Sequence, residues 1–360
     1  MSRRGVGIGA PSSQDGDRRL VAGRGVRSVV IWTDRGSLVS LTSRCPTEES
    51  SVTTTGTAVA AWRFFDVEVV RAIQLSRSFV RVTFRGHDLD EIADNGFDQR
   101  IKLVLPDATG GYAHVPQGSD WYGAWRSLPD EHRNPLRTYT IRYVRPGLRE
   151  VDVDIVLHGT TGPAGRFAAT CRPGTPAVLM GPNARHPGPH GAVEFTVPGA
   201  DRPLLLVGDE TAFPAIARIL EDLPPETVGH VLVEVPYAED FTELTRPAGM
   251  ALSWIAREGA EHGERLVPLV RTVADQLLVD ARTTPASHAL EDVDVDEEVL
   301  WEVPLDDCGV PLPPTGDLYA WLAGESSVIK TLRRFLVSER GVDRRSVAFM
   351  GYWRQGRAEG

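Results

Sequence analysis

The chain has 360 residues, 41% of them hydrophobic, and a formal charge of −10, which suits two domains with cores of ordinary size. It contains no apolar run of about eighteen residues and no apolar leader, so neither a membrane helix nor a secretory signal is expected. Three scattered cysteines (Cys45, Cys171, Cys308) make no disulfide framework, and no basic stripe points to nucleic acid, so a cytoplasmic monomer is expected.

Residues 1 to about 60 are rich in Gly, Ser, Thr and Arg and are expected to form a poorly structured extension, with strand character only over 28–41. From Phe65 the chain alternates apolar and polar residues over 65–70, 79–84, 101–105, 138–143, 151–157 and 177–180, with Gly and Pro turns between. That series predicts a closed antiparallel barrel over 61–198. Past Pro198-Gly199-Ala200 the character changes. Apolar strands at 204–207, 230–235 and 318–323 alternate with helical stretches at 212–221 and 326–339, which predicts a parallel sheet with crossover helices over 199–360.

The charge is unevenly spread. Nine acids and no base lie between Ala289 and Cys308, and without that segment 39 bases face 40 acids. The acidic run is expected to be a solvated loop within about 281–316 and does not exclude a local basic pocket.

Three motifs carry chemistry. Arg137-Thr138-Tyr139-Thr140 sets a guanidinium and an aromatic ring on one side of a strand and two hydroxyls on the other. Gly162-Pro163-Ala164-Gly165 opens a short helix with little side-chain bulk, so its amides can approach a pyrophosphate. Gly208-Asp209-Glu210-Thr211 ends an apolar strand, with Thr211 expected to cap the next helix and Pro214 in its first turn. It lacks the G-x-G-x-x-G fingerprint. His186 and His190 share a Pro-rich loop without a third ligand nearby, so no metal site is expected there.

Taken with Asp154 to Gly159 (DIVLHG), Trp321 to Glu325 (WLAGE) and Gly351 to Arg357 (GYWRQGR), these motifs resemble the siderophore-interacting proteins. That is a ferredoxin-reductase-like family of flavoproteins that reduce ferric siderophores, and the resemblance covers about four-fifths of the chain, from Phe64 to Arg357. It implies an FAD-binding barrel followed by a nicotinamide-binding α/β domain. For FAD it implies Arg137 near the phosphates, Tyr139 packed on the ring and Thr140 near its reactive edge, with Thr138 between them. Asp154, Val156 and His158 would lie along the ribose and adenylate side, and Gly162, Ala164 and Gly165 against the pyrophosphate. The family usually has a hydroxyl residue where this chain has Gly165 and a tryptophan where it has Phe167.

For NADPH or NADH the resemblance points to Asp209, Glu210, Thr211, Gly324 and Glu325, with Trp353 beside the flavin. Arg257 is the first choice for a 2′-phosphate. Lys330, Arg333 and Arg334 can share a helical face and, with Arg354, are candidates for an anionic ferric siderophore. The implied reaction passes a hydride from NAD(P)H to flavin and single electrons to Fe(III), releasing Fe(II), with no side chain required as acid or base. A reductase with another acceptor and a non-catalytic siderophore binder are the alternatives.

Overall fold

The computed structural model describes residues 59–118, 120–157, 162–280, 301–306 and 310–356, together with the backbone of Trp32–Thr33 and Glu298–Val299. The strands are β1 (Trp32–Thr33), β2 (Trp62–Gln74), β3 (Phe79–Arg85), β4 (Arg100–Val104), β5 (Leu136–Arg145), β6 (Glu150–Val156), β7 (Pro176–Pro182), β8 (Leu204–Gly208), β9 (Val228–Val235), β10 (Gly249–Ala256), β11 (Glu298–Val299), β12 (Trp301–Glu302), β13 (Tyr319–Glu325) and β14 (Val347–Trp353). The helices are α1 (Trp121–Arg126), α2 (Pro163–Thr170), α3 (Phe213–Asp222), α4 (Leu266–Asp280) and α5 (Ser326–Arg333).

Strands β2-β3-β6-β5-β4-β7 close the expected antiparallel barrel. Alternation decides its inside: Phe65, Val82, Phe84, Val153 and Leu179 fill the core, while Arg81, Thr83, Asp152 and Asp154 face outward. Each buried aliphatic or aromatic side chain there contributes about 1.5–3 kcal/mol. The outer face is a charged ladder in which Arg81 grips Asp154 at 2.7 and 2.8 Å and Arg145 reaches Asp152 at 2.6 Å.

The second sheet has the order β10-β9-β8-β13-β14-β12. All its pairings are parallel except that of β12 with β14. Its strands are apolar on both faces because both are covered. Leu204 and Leu206 face α3 and the barrel, whereas Leu205 and Val207 face α4 and α5. The expected strand character near the N-terminus is present at Trp32–Thr33, which pairs with Glu298–Val299; the rest of that extension lies outside the described residues.

The solvated acidic loop needs a correction at one residue. Glu302 is buried and holds Arg333 at 2.6 Å and Arg344 at 2.6 Å. Pairing of β12 with β14 turns Trp301 toward Tyr352 and sends Glu302 to the opposite face, where α5 waits. Most of the remaining acidic run lies outside the described residues.

The two domains are joined by buried polar contacts. Asp98 accepts from the amides of Glu194 (3.1 Å) and Phe195 (3.0 Å) and from the Trp321 indole (3.1 Å). Asp240 takes both hydroxyls of Ser76 and Ser78 at 2.7 Å, and Arg142 of β5 pairs with Glu221 of α3 at 2.8 Å. Phe79 and Phe195 complete the joint by packing into the core shared with the sheet.

Candidate functional site

Two clefts hold part of the candidate set, Arg137 in one and Asp209, Gly324 and Glu325 in the other. The first, of about 240 Å³, opens at the barrel and is lined by Trp125, Arg133, Asn134, Arg137 and Pro163 among others. It brings together Arg137 of the RTYT strand and the start of the GPAG helix, 26 residues apart in the sequence.

Arg137 is half-buried and donates to the Leu136 carbonyl at 2.7 Å. Tyr139 packs against the barrel core opposite its cross-strand partner Ile101. Thr138 is exposed and accepts from Lys102 at 2.7 Å, whereas Thr140 is buried. The helix α2 starts where expected, with Gly162 as its N-cap and Pro163 in the first turn. A side chain at Gly162 would meet open space. The first backward helix bond runs from Arg166 N to Gly162 O at 3.0 Å, so the amides of Ala164 and Gly165 sit in the turn that has no helical acceptor.

Sequence reasoning missed the wall opposite Arg137. Trp125 donates to the Asn134 carbonyl at 2.9 Å, and Asn134 Nδ2 donates to Leu105 and Gly111 carbonyls, both at 2.8 Å. Arg133 stacks over Trp125, and its Nε is buried with no hydrogen-bond partner among the described residues. The aromatic and basic run just before RTYT was the available signal. A buried donor without an acceptor beside Arg137 and the α2 amides fits a ligand carrying a pyrophosphate.

Val156 lies on the outer side of β6 and packs against the core shared with the sheet. Asp154, expected along the adenylate side, sits under Arg81 and Arg142, with Arg142 Nε at 3.4 Å, so its carboxylate serves the interdomain ladder. His158 lies outside the described residues.

The second is a narrow crevice of about 10 Å³ at the carboxyl ends of β8 and β13, lined by Gly208, Asp209, Glu234, His262, Gly324 and Glu325 among others. Ligands of open α/β sheets sit in such places. Asp209 accepts from Thr211 N, Glu325 N and the Trp353 indole, each at 2.8 Å. Burial, and then neighbouring Glu210, push its carboxyl up to about 6. Gly208 cannot carry a side chain, because a Cβ would lie 2.6 Å from that of Ala212. Gly324 has φ +146°, and a Cβ there would come within 2.6 Å of Asp209 Oδ2.

Several expectations are corrected here. Arg257, assigned to a 2′-phosphate, is buried and bidentate on Glu210 at 2.6 and 2.6 Å, with Glu234 at 3.4 Å. Two buried acids already take up its one charge, and its pairing with Glu210 anchors the end of β10 to that of β8. Thr211 does not cap α3; Ala212 holds that position and Asp209 takes the Thr211 amide instead. Glu325 caps α5, accepting from Ser327 N at 2.8 Å and Val328 N at 3.1 Å.

The cationic trio is also divided. The helix α5 lies on the sheet face opposite the barrel, Arg333 is buried against Glu302, Lys330 is half-buried and Arg334 exposed. Arg354 follows Trp353 at the end of β14, half-buried. Trp353 meets the His262 ring edge-on at 4.8 Å, and Glu210 raises the His262 imidazole above its ordinary range.

A closed barrel built for FAD, joined to a parallel nucleotide-binding sheet, defines a two-domain flavoprotein oxidoreductase. The chain belongs to the siderophore-interacting protein family: the family model for the siderophore-interacting FAD-binding domain matches residues 68–186, and that for siderophore-interacting protein matches 202–356. It is 36% identical over 295 residues to a Mycobacterium tuberculosis protein, covering 81% of this chain and 90% of that one. It is 26% identical over 294 residues to the ferric vibriobactin reductase ViuB of Vibrio cholerae (81% and 90% covered), and 26% identical over 297 residues to the NADPH-dependent ferric-chelate reductase of Escherichia coli (81% and 93%). The crystal structure of a siderophore utilization protein from T. fusca superposes with a TM-score of 0.60 at 28% identity, covering 83% of this chain and 96% of that one. Among the described residues no helix is long and apolar enough to cross a membrane.

Proposed function

We propose that this chain is an FAD-dependent reductase that takes electrons from NAD(P)H and delivers them to Fe(III) in a bound siderophore, so that the weaker-binding Fe(II) is released. The observation that carries this reading is the single cleft shared by Arg137, the buried Nε of Arg133 and the start of α2. When bound, the flavin supplies the step between a two-electron donor and a one-electron acceptor.

The protein's part is binding and orientation. Arg137, Arg133 and the amides of Ala164 and Gly165 hold the pyrophosphate, Tyr139 packs against the ring and Thr140 lies near its edge. The nicotinamide donor takes the crevice at Asp209 and Gly324. There Glu234 Oε1, buried without a partner among the described residues, is an acceptor for a ribose hydroxyl. Trp353 is tied to that crevice through Asp209, and Arg354, next to it at the end of β14, meets the anionic siderophore.

The test is anaerobic oxidation of NADPH and NADH by flavin-loaded protein, with and without a ferric tris-catecholate or tris-hydroxamate, and with a ferrous chelator present. Siderophore-dependent oxidation with Fe(II) capture is expected. Oxidation indifferent to the siderophore identifies a reductase with another acceptor. Loaded protein that binds the siderophore but oxidises neither donor is a binder only.

A further inference from the structure

We propose that Asp107, His114 and His132 form a binding site for one divalent transition-metal ion, with Zn²⁺ the ion that best suits the donor set. The three residues come from the loop after β4 and from the turn before β5. One ligand atom of each lies within 4.8 Å of the others. His114 Nδ1 stands 3.5 Å from Asp107 Oδ2, and the two imidazoles stack at 4.0 Å between centroids.

The carboxylate is set in advance. Its Oδ1 accepts from Thr109 N (2.9 Å), the Thr109 hydroxyl (2.6 Å) and Gly111 N (3.1 Å), which turns Oδ2 toward His114. The Asp107 side chain is fully buried. His132 Nδ1 is buried with no hydrogen-bond partner among the described residues. Two imidazoles and one carboxylate leave a fourth tetrahedral position for water, and zinc–ligand bonds of about 2.0–2.2 Å require the three ligand atoms to close in and the stacked rings to splay apart.

The other histidine pair makes the contrast. His186 Nδ1 is engaged by Val59 O at 2.8 Å, and His190 uses Asn183 O at 2.8 Å and Asn95 Oδ1 at 3.2 Å. Those rings have partners, and His132 Nδ1 has none. A bound ion would tie His114 to His132, which precedes Arg133 and Asn134 in the wall of the barrel cleft. Asn134 in turn holds the Gly111 carbonyl of the same loop. The ion would therefore fix the wall that faces Arg137.

The experiment is calorimetric titration of chelator-treated, FAD-loaded protein with Zn²⁺ alone. One saturable site is expected. Since loss of even outer partners costs a metal about 10–100-fold in affinity, His114→Ala with His132→Ala should weaken binding by at least about a hundredfold. The single variant His114→Gln should weaken it too, and His186→Ala with His190→Ala should leave it unchanged. Circular dichroism reports that each variant is folded. Absence of saturable Zn²⁺ binding, equal binding by the His114/His132 variant, or loss in the His186/His190 variant would each overturn the assignment. Because the readout is zinc uptake, it stands or falls apart from the reductase reading.

Discussion

The indole N–H of Trp353 donates to Asp209 Oδ2 at 2.8 Å, joining the ends of β14 and β8 across 144 residues of chain. It ties a C-terminal aromatic to an acid that lines the crevice at the ends of β8 and β13. Trp353→Phe keeps the ring and deletes the donor, leaving Asp209 with Thr211 and the Glu325 amide. A hydrogen bond to a buried acid is worth about 1.5–3 kcal/mol when that acid is charged. The expected result is a lower thermal midpoint and a higher KM for NAD(P)H with flavin retained; an unchanged KM would separate Trp353 from the donor site.

Arg137→Ala should empty the barrel cleft of its cofactor. A charge-assisted contact of about 1.5–3 kcal/mol corresponds to roughly ten- to a hundredfold in affinity. Purified variant should be folded by circular dichroism and largely colourless. Flavin content equal to wild type would remove Arg137 from the phosphate site.

Gly324→Ala should be far more damaging than its size suggests. The backbone at φ +146° resists a side chain, and the new methyl would meet the Asp209 carboxylate. Strain of this kind costs about 1–3 kcal/mol before any clash is counted. Chemical denaturation should show the loss, and nicotinamide-dependent turnover should fall while flavin remains bound. Wild-type stability would show that Asp209 can move aside.

Asp98 makes a pH prediction with a definite sign. Burial first, and then Glu194, raise its carboxyl from 3.8 to about 7. Between those values the folded chain keeps a proton that the unfolded chain gives up. Its contribution to stability is therefore complete below about pH 4 and lost as pH rises through about 7. Asp209, raised to about 6, adds a slope of the same sign. Asp98→Asn should flatten the decline in stability measured by denaturant titration between these limits. An unaltered slope would place the titrating group elsewhere.

Deleting residues 1 to 58 should leave fold and flavin intact at the cost of the β1–β11 pair. Cutting through Trp62 should not. Asn183 is held by the Ala61 and Ala60 carbonyls at 2.8 and 2.9 Å, and Trp62 donates to the His190 carbonyl. Size-exclusion and flavin absorbance of the two truncations check where the barrel begins.

The barrel and the parallel sheet were legible because both are written in local periodicity: alternation at Val151 to Ile155, continuous apolar runs at Leu204 to Val207. The RTYT strand and the GPAG helix were legible as motifs, and the structure brings them to one cleft. Partners distant in sequence were not legible. Nothing near Arg257 announces Glu210 or Glu234, and nothing near Arg333 announces Glu302, so both arginines read as available cations. Helical spacing correctly placed Lys330 and Arg333 on α5 but could not say which face of the sheet α5 covers. The zinc-ligand trio was missed for the same reason, since Asp107 and His132 meet only after the intervening loop folds back.

The Asp98–Trp321 contact has a consequence for how the molecule can be divided. An acid from the barrel side takes its third donor from the middle strand of the other domain, amid Phe79, Phe195 and Tyr319. A cut near residue 199 would strand that carboxylate with an unanswered oxygen and bare an aromatic surface on both pieces. The halves are thus poor candidates for exchange between proteins as separate modules. What fixes their mutual orientation also fixes the distance between the barrel cleft and the crevice of the sheet.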